Sequence, residues 1–269
     1  MKMERNLDMV IQEENHNGVD IILEEQERID DTGFGDLRII QKKGAFCYGV
    51  DAVILSDFTV SIGKNLNQVC DLGTSTGIIP LIISHKNKKC HITGVELQKA
   101  SAERAKRNVE LNNLTDRIDI VNSDILDLGQ EFTRKFDTVV TNPPYMVSGN
   151  GLVNCNNEKM IARHETTANL EDFFRVSSKI VKEKGNLFMV HRPSRLPDLI
   201  TLGRKYNFEL KTMQMVVPKP GGTANIVLLH YSYLGGKELR LLPELPVHIE
   251  NGDYSQRILE IYEKFGYDN

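Results

Sequence analysis

The sequence predicts an α/β fold, an open and mostly parallel sheet with helices on both faces and an antiparallel end. Three observations carry this. From Gln68 to Tyr206, short apolar runs that read as strands alternate with segments that read as helices, the signature of parallel strands joined by crossover helices. The last two apolar runs, Phe208–Val217 and Asn225–Tyr233, are separated only by the Pro-Lys-Pro-Gly-Gly turn at 218–222. Parallel neighbours need a crossover of about a dozen residues, so this pair is antiparallel. No internal repeat or low-complexity tract suggests another architecture.

The elements follow in order. Residues 1–33 carry three bases (Lys2, Arg5, Arg28) against ten acids, a net of −7 in a chain whose total is −4. They read as an acidic N-terminal extension, a tail or a short helix, partly flexible. Residues 34–269 form the working domain, and their net of +3 neither demands nor forbids an RNA partner. Lys42-Lys43-Gly44, between two apolar runs, suggests a hairpin-like turn, and Asp51-Ala52-Val53-Ile54-Leu55 the start of a helix capped by Asp51. Strands are expected at Gln68–Leu72, His91–Glu96, Ile118–Asn122, Phe136–Thr141 and Gly185–His191. Helices are expected at Gly77–His85, Gln98–Asn112, Leu170–Val181, Arg195–Tyr206 and Tyr254–Phe265. Glu103 and Arg107 are spaced for an i,i+4 ion pair on the second of these helices.

Several function classes drop out. No run of ~18 apolar residues marks a membrane span, and the N-terminus lacks the apolar segment of a secretory signal. The four cysteines, Cys47, Cys70, Cys90 and Cys155, form no CxxC pair, so neither a zinc ribbon nor a disulfide scaffold is expected. No metal is implied, and a reducing cytoplasm is the default compartment.

Two motifs carry chemistry. Asp71-Leu72-Gly73-Thr74-Ser75-Thr76-Gly77 follows the first strand and opens a helix, with Glu96 at the end of the next strand. Small residues there let the backbone approach a ligand, and the acid can accept from both ribose hydroxyls. Dinucleotide and adenosyl-cofactor folds share this pattern, and a plain strand–helix turn with a surface Glu also satisfies it. The incomplete GxGxxG and the leading Asp71 disfavour a pyrophosphate; a cationic, phosphate-free ligand such as S-adenosylmethionine suits them better. Asp124, after the third strand, can accept from an adenine amine while Ile125 packs on the ring, although an Asp in that place also serves as a helix cap. The second motif is Asn142-Pro143-Pro144-Tyr145, directly after the fourth strand. The prolines stiffen the loop and end the ladder. The Asn142 side-chain oxygen and the Pro143 carbonyl can then accept both hydrogens of a planar NH2 group, and Tyr145 offers a stacking face.

With these motifs the sequence resembles the amino-methyltransferases that carry an (Asp/Asn/Ser)-Pro-Pro-(Tyr/Phe) motif. Among them it is similar to the bacterial tRNA1(Val) adenine-N6 methyltransferases, which modify adenosine 37. The resemblance spans about residues 34–269 and includes Phe46–Phe58, Asp71–Pro80, Val95–Leu97, Asn142–Tyr145, Ala162–Thr167 and Asp253-Tyr254-Ser255. It implies a Rossmann-like class I methyltransferase, with a seven-stranded mostly parallel sheet and an antiparallel last strand. It also implies S-adenosyl-L-methionine as cofactor, S-adenosyl-L-homocysteine as its product, a tRNA substrate and no obligate protein partner. Asn142, Pro143, Pro144 and Tyr145 are the implied catalytic residues. The cofactor site would comprise Tyr48, Asp51, Asp71, Gly73, Gly77, Glu96, Leu97, Asp124, Ile125 and Asn142, with Tyr48 and Asp51 near the methionine end. Ser75 departs from the Gly usual in the family, a costly change where φ is positive. Two other readings stay open: a protein-glutamine N5 methyltransferase, and a scaffold that binds cofactor or RNA without catalysis. Lys42, Lys43, Arg192, Arg195, Lys211 and Lys219 are candidates for an RNA-facing rim. The 146–162 loop with Arg163-His164-Glu165 is expected to gate the substrate.

Overall fold

The computed structural model describes residues 11–14, 20–44, 48–64, 66–145 and 168–263. The 146–162 loop, Arg163-His164-Glu165, the Ala162–Thr167 segment, Phe46, Cys47 and Phe265 lie outside them. Where a helical extension was one expectation, the described N-terminal residues are strands. β1 (Ile11–Glu14) pairs with β2 (Asp20–Leu23), and β3 (Glu27–Asp31) with β4 (Arg38–Lys42), both antiparallel. The hairpin therefore closes earlier, through residues 32–37, where the Thr32 hydroxyl donates to the Leu37 carbonyl at 2.8 Å; Lys42 ends its second strand, and Lys43-Gly44 turn out of it. Ile21, Leu23 and Ile40 are buried together with Leu111, an alternation that the surrounding acids obscure in the sequence.

α1 (Val50–Ile62) begins after Gly49 without a side-chain cap; Asp51 lies in its first turn and is not the cap. The central elements follow as β5 (Gln68–Leu72), α2 (Ile78–Lys86), β6 (His91–Glu96), α3 (Lys99–Leu111), β7 (Ile118–Asn122) and β8 (Phe136–Thr141). Next come α4 (Leu170–Ile180), β9 (Val181–His191), α5 (Leu196–Lys205), β10 (Phe208–Val217) and β11 (Ile226–Tyr233). The expected strands β5 to β8 and β10 have the bounds read from the sequence. α4 carries the acidic first turn foreseen, closed by a reciprocal Asn169–Asp172 capping box.

Sheet order is β10-β11-β9-β8-β5-β6-β7. Strands β5 to β9 pair in parallel, and β11 is antiparallel to both β9 and β10. The two-residue strands β12 (Arg240–Leu241) and β13 (Leu245–Pro246) extend the β10 edge. That makes nine strands in this sheet among the described residues. α1, α2 and α6 (Gln256–Ile261) lie in one apolar layer, and α4 and α5 in the other. From β5 the chain runs outward through β6 and β7, then returns to β8 on the other side of β5. Ligands bind outside the carboxyl ends of strands at such a reversal.

α3 anchors the N-terminal hairpin to this sheet. Asn108 Oδ1 accepts from the Ile40 amide at 2.6 Å, and its Nδ2 donates to the Thr76 carbonyl at 2.9 Å. One turn on, Asn112 accepts from the Arg38 amide at 2.9 Å and donates to the Arg38 carbonyl at 2.7 Å. Two side-chain amides thus satisfy backbone groups that a further strand would otherwise pair. Beside them Glu27, its side chain fully buried, accepts from Arg104 Nε at 2.8 Å and from Arg107 at 2.6 and 2.8 Å. Arg107 therefore pairs across the hairpin junction, and Glu103 meets Lys99 instead, at 3.7 Å. Burial alone would raise the Glu27 carboxyl, but the Arg107 and Arg104 bonds and the Glu24 amide hold it down to about 2. No helix among the described residues is long and apolar enough to cross a membrane.

Candidate active site

The turn after β5 has three left-handed residues, with φ of 78° at Gly73, 51° at Ser75 and 82° at Gly77. Gly73 and Thr74 donate backbone bonds to the Val95 carbonyl at 2.9 and 3.0 Å, and the Ser75 amide donates to Glu96 Oε2 at 2.8 Å. Glu96 Oε1 accepts from the Gln98 amide, also at 2.8 Å. Burial raises the Glu96 carboxyl, and these amide bonds oppose the rise. Each of its oxygens is thus oriented by one backbone amide. At Gly77 a Cβ would stand 3.4 Å from that of Ala105, an ordinary contact, so glycine there serves the left-handed conformation.

Asp71 is fully buried, and neither carboxylate oxygen has a hydrogen-bond partner of normal geometry among the described residues. Burial pushes it up to about 7; the nearby Thr74 hydroxyl tempers the rise and the Glu96 charge adds to it. At the end of β7, Asp124 accepts from the Leu126 amide at 2.9 Å and so caps a short 3-10 turn, while Ile125 is buried.

The Thr141 hydroxyl donates to the Leu72 carbonyl at 2.8 Å, binding the end of β8 to the end of β5 and bringing Asn142 beside the glycine turn. The Tyr145 hydroxyl turns back to donate to Asn142 Oδ1 at 2.9 Å, with Asp51 Oδ2 a second acceptor at 3.2 Å. The Tyr145 ring meets His191 edge-on, centroids 5.1 Å apart, and the Arg192 guanidinium covers it at 4.8 Å. Burial, reinforced by the Arg195 charge, lowers the His191 imidazole to about 4, so that ring is neutral at physiological pH.

These ends enclose a cavity of about 660 Å³, within the usual range for small-molecule sites. Tyr48, Asp51, Gly73, Glu96, Leu97, Asp124, Ile125, Asn142, Pro143, Pro144 and Tyr145 all line it. Asp71 and Gly77 do not; they lie beneath and behind the turn. The candidate rim divides. Lys42, Lys43 and Arg192 reach the cavity wall, whereas Arg195 pairs with Asp198 at 2.7 Å, and Lys211 and Lys219 bond backbone carbonyls elsewhere. Gln26 and Arg104 also line the cavity, and sequence reasoning did not find them.

The family model "Methyltransferase small domain" matches residues 36–203, which identifies this sheet and its glycine turn as those of a methyltransferase. A tRNA1(Val) (adenine(37)-N6)-methyltransferase of Bacteroides thetaiotaomicron is 27% identical over 85% of this chain and 95% of its own. A protein of the same name from Porphyromonas gingivalis is 30% identical over 64% of this chain and 71% of its own. The chain belongs to the tRNA1(Val) (adenine(37)-N6)-methyltransferase family. Among solved structures, a predicted O-methyltransferase from Agrobacterium tumefaciens superposes with a TM-score of 0.64, at 20% identity, over 79% of this chain and 95% of that one. A geranyl diphosphate methyltransferase in complex with S-adenosylmethionine gives 0.50, at 13% identity, over 67% and 85%. These two likenesses concern the fold.

Proposed function

We propose that this chain transfers a methyl group from S-adenosylmethionine to the N6 amine of adenosine 37 in a valine tRNA. The observation that carries the reading is the position of Asn142. It lies on the wall of the cavity that the glycine turn and Glu96 also line, so an amine acceptor and a cofactor-sized space share one chamber.

The residues fit the cofactor. Among the described residues, a Cβ added at Gly73 would meet nothing nearer than Phe173 at 4.0 Å, which leaves the backbone open to close approach. Glu96 would hold the ribose hydroxyls, Asp124 and Ile125 the adenine, and Tyr48 and Asp51 the methionine end, with Leu97 alongside. Asp71 and Gly77 act through the turn they support. Bound there, S-adenosylmethionine supplies an electrophilic sulfonium methyl and leaves as S-adenosylhomocysteine.

The chain's own work is on the amine. A target base flipped out of its RNA enters above the strand ends. The Tyr145 hydroxyl vacates Asn142 Oδ1. Asn142 and the Pro143 carbonyl, kept rigid by Pro144, accept the two N6 hydrogens and draw the nitrogen toward tetrahedral geometry, which localises its lone pair. Tyr145 stacks on the ring. No general base is needed before attack, because the amine proton becomes acidic only once the methyl has been transferred and then passes to solvent, so the rate gain comes from positioning and electrostatics. The test is transfer of a labelled methyl to total tRNA or to protein, followed by nucleoside analysis. N6-methyladenosine in tRNA is expected; label on protein glutamine, or label nowhere while cofactor binds, refutes the reading.

A further inference from the structure

Arg192 has no role in the steps above, yet it occupies a distinctive place. β9 runs parallel to β8 with Met189 opposite Thr141, so the two strand ends present Arg192 and the Asn142–Tyr145 loop side by side. Arg192 is an exposed residue on the cavity wall. Its Nη1 donates to the Asn225 carbonyl at 2.9 Å, and its backbone amide donates to His191 Nδ1 at 2.8 Å. One end of the guanidinium is thus pinned at the entry to β11, while the carbon at its centre lies 4.8 Å from the Tyr145 ring centroid. His191 packs against the same ring in a T-shaped contact, centroids 5.1 Å apart. Arg192 and Tyr145 both line the cavity, and Arg192 covers one face of the Tyr145 ring.

We infer that Arg192 is a positioning residue for the target base, forming the second face of a slot whose first face is Tyr145. This rests on the reading that an adenine amine enters this cavity. A guanidinium is planar, always charged and weakly hydrated, so it stacks on a π face at little desolvation cost. Two stacking contacts of ~3.5–4 Å each need about 7 Å between the faces, against the 4.8 Å observed. Arg192 must therefore swing outward as the base slides in, and the Asn225 contact serves as its pivot. With no base bound, the same guanidinium shields the Tyr145 face from water. The slot then recognises any flat, electron-rich ring of purine size, and Asn142 with Pro143 selects the one that carries an amine.

The experiment uses the full chain with Arg192→Ala, Arg192→Lys and Arg192→Phe. Methyl transfer to a tRNA anticodon stem–loop, binding of the labelled cofactor, and the fluorescence of 2-aminopurine placed at the target position are measured for each. Arg192→Ala should raise the KM for RNA about 3- to 30-fold with kcat little changed, leave cofactor affinity unchanged and diminish the 2-aminopurine response to binding. Arg192→Phe should restore KM and fluorescence because it keeps a flat face, whereas Arg192→Lys, which keeps only the charge, should not. The opposite pattern, rescue by Lys and not by Phe, would reveal a phosphate contact and overturn the inference, as would loss of cofactor affinity in Arg192→Ala. If the wild-type chain methylates no adenine, the underlying reading fails and the inference falls with it. If it does methylate adenine and the three variants behave like wild type, the inference alone fails.

Discussion

The Tyr145 hydroxyl donates to Asn142 Oδ1 at 2.9 Å and has Asp51 Oδ2 within reach at 3.2 Å. The proposed amine acceptor is therefore satisfied from within the chain. A substrate amine competes with one internal hydrogen bond, a net difference of only ~0.5–1.5 kcal/mol. Tyr145→Phe, which keeps the ring and releases the acceptor, should retain methyl transfer and lower the KM for RNA by about 2- to 10-fold. Asn142→Ala should cut kcat by about 10²–10³ or more while cofactor binding persists. Steady-state kinetics on both variants decides the matter; an Asn142→Ala enzyme with near-normal kcat would remove Asn142 from the mechanism.

Ser75 holds a φ of 51°, a conformation that costs a residue with a Cβ roughly 1–2 kcal/mol. Glycine there relieves the strain but adds about 0.4–1 kcal/mol of unfolded-state entropy. Ser75→Gly should therefore raise Tm by about 1–4 °C and leave cofactor binding unchanged, since the amide that orients Glu96 is retained. Thermal melts with and without cofactor test both parts, and a variant less stable than wild type would contradict the strain argument.

Glu27 gives an acid-sensitive link between the hairpin and α3. Its folded pKa, about 2, lies below the ordinary 4.5. The stability it contributes is thus present in full above 4.5 and is lost as pH falls from 4.5 toward 2. Glu27→Gln should cost about 3–5 kcal/mol at pH 7, because Arg104 and Arg107 lose their shared partner. Its stability should also change less across that acid window than wild type does. Urea titrations at pH 7 and pH 3.5 measure both effects.

Asp71 behaves oppositely. With a folded pKa of about 7 against the ordinary 3.8, the folded chain binds its proton more tightly than the unfolded chain. Ionisation therefore opposes folding, and stability declines as pH rises from 3.8 through 7. Asp71→Asn should remove that slope and gain about 1–3 kcal/mol at pH 8. Because Asp71 lies behind the cavity wall, cofactor affinity should fall only a few-fold. An unchanged pH slope in denaturation experiments would show that Asp71 is not the group responsible.

Much of this architecture was legible in contiguous residues. Strands β5 to β8 and β10 could be bounded from their apolar runs, and the antiparallel end followed from a turn too short for any crossover. The site motifs were legible for the same reason. Asn142-Pro143-Pro144-Tyr145 cannot continue a strand, and a chain that must turn at Gly73 and Gly77 advertises it by composition. Partners were harder to read. Glu103 lies at an ideal helical spacing from Arg107, yet Arg107 pairs with Glu27, because a carboxylate with no access to water competes far better for a guanidinium than one on an exposed helix face. The strands within residues 1–33 were hidden because acids surround them, while Ile21 and Leu23 of β2 are buried.

By itself, then, the sequence determined the succession of elements, the antiparallel finish and the residues with unusual backbone chemistry at the strand ends, since each depends on neighbours a few positions away. The tertiary structure decided which side chains meet. Asn108 and Asn112 reach β4, the Tyr145 hydroxyl rests on Asn142 and Asp51, and Arg192 lies over the Tyr145 ring. Most of these contacts join segments tens of residues apart and exist only because the order of strands in the sheet brings their ends together. Periodicity reveals that a face is buried; only packing specifies what covers it.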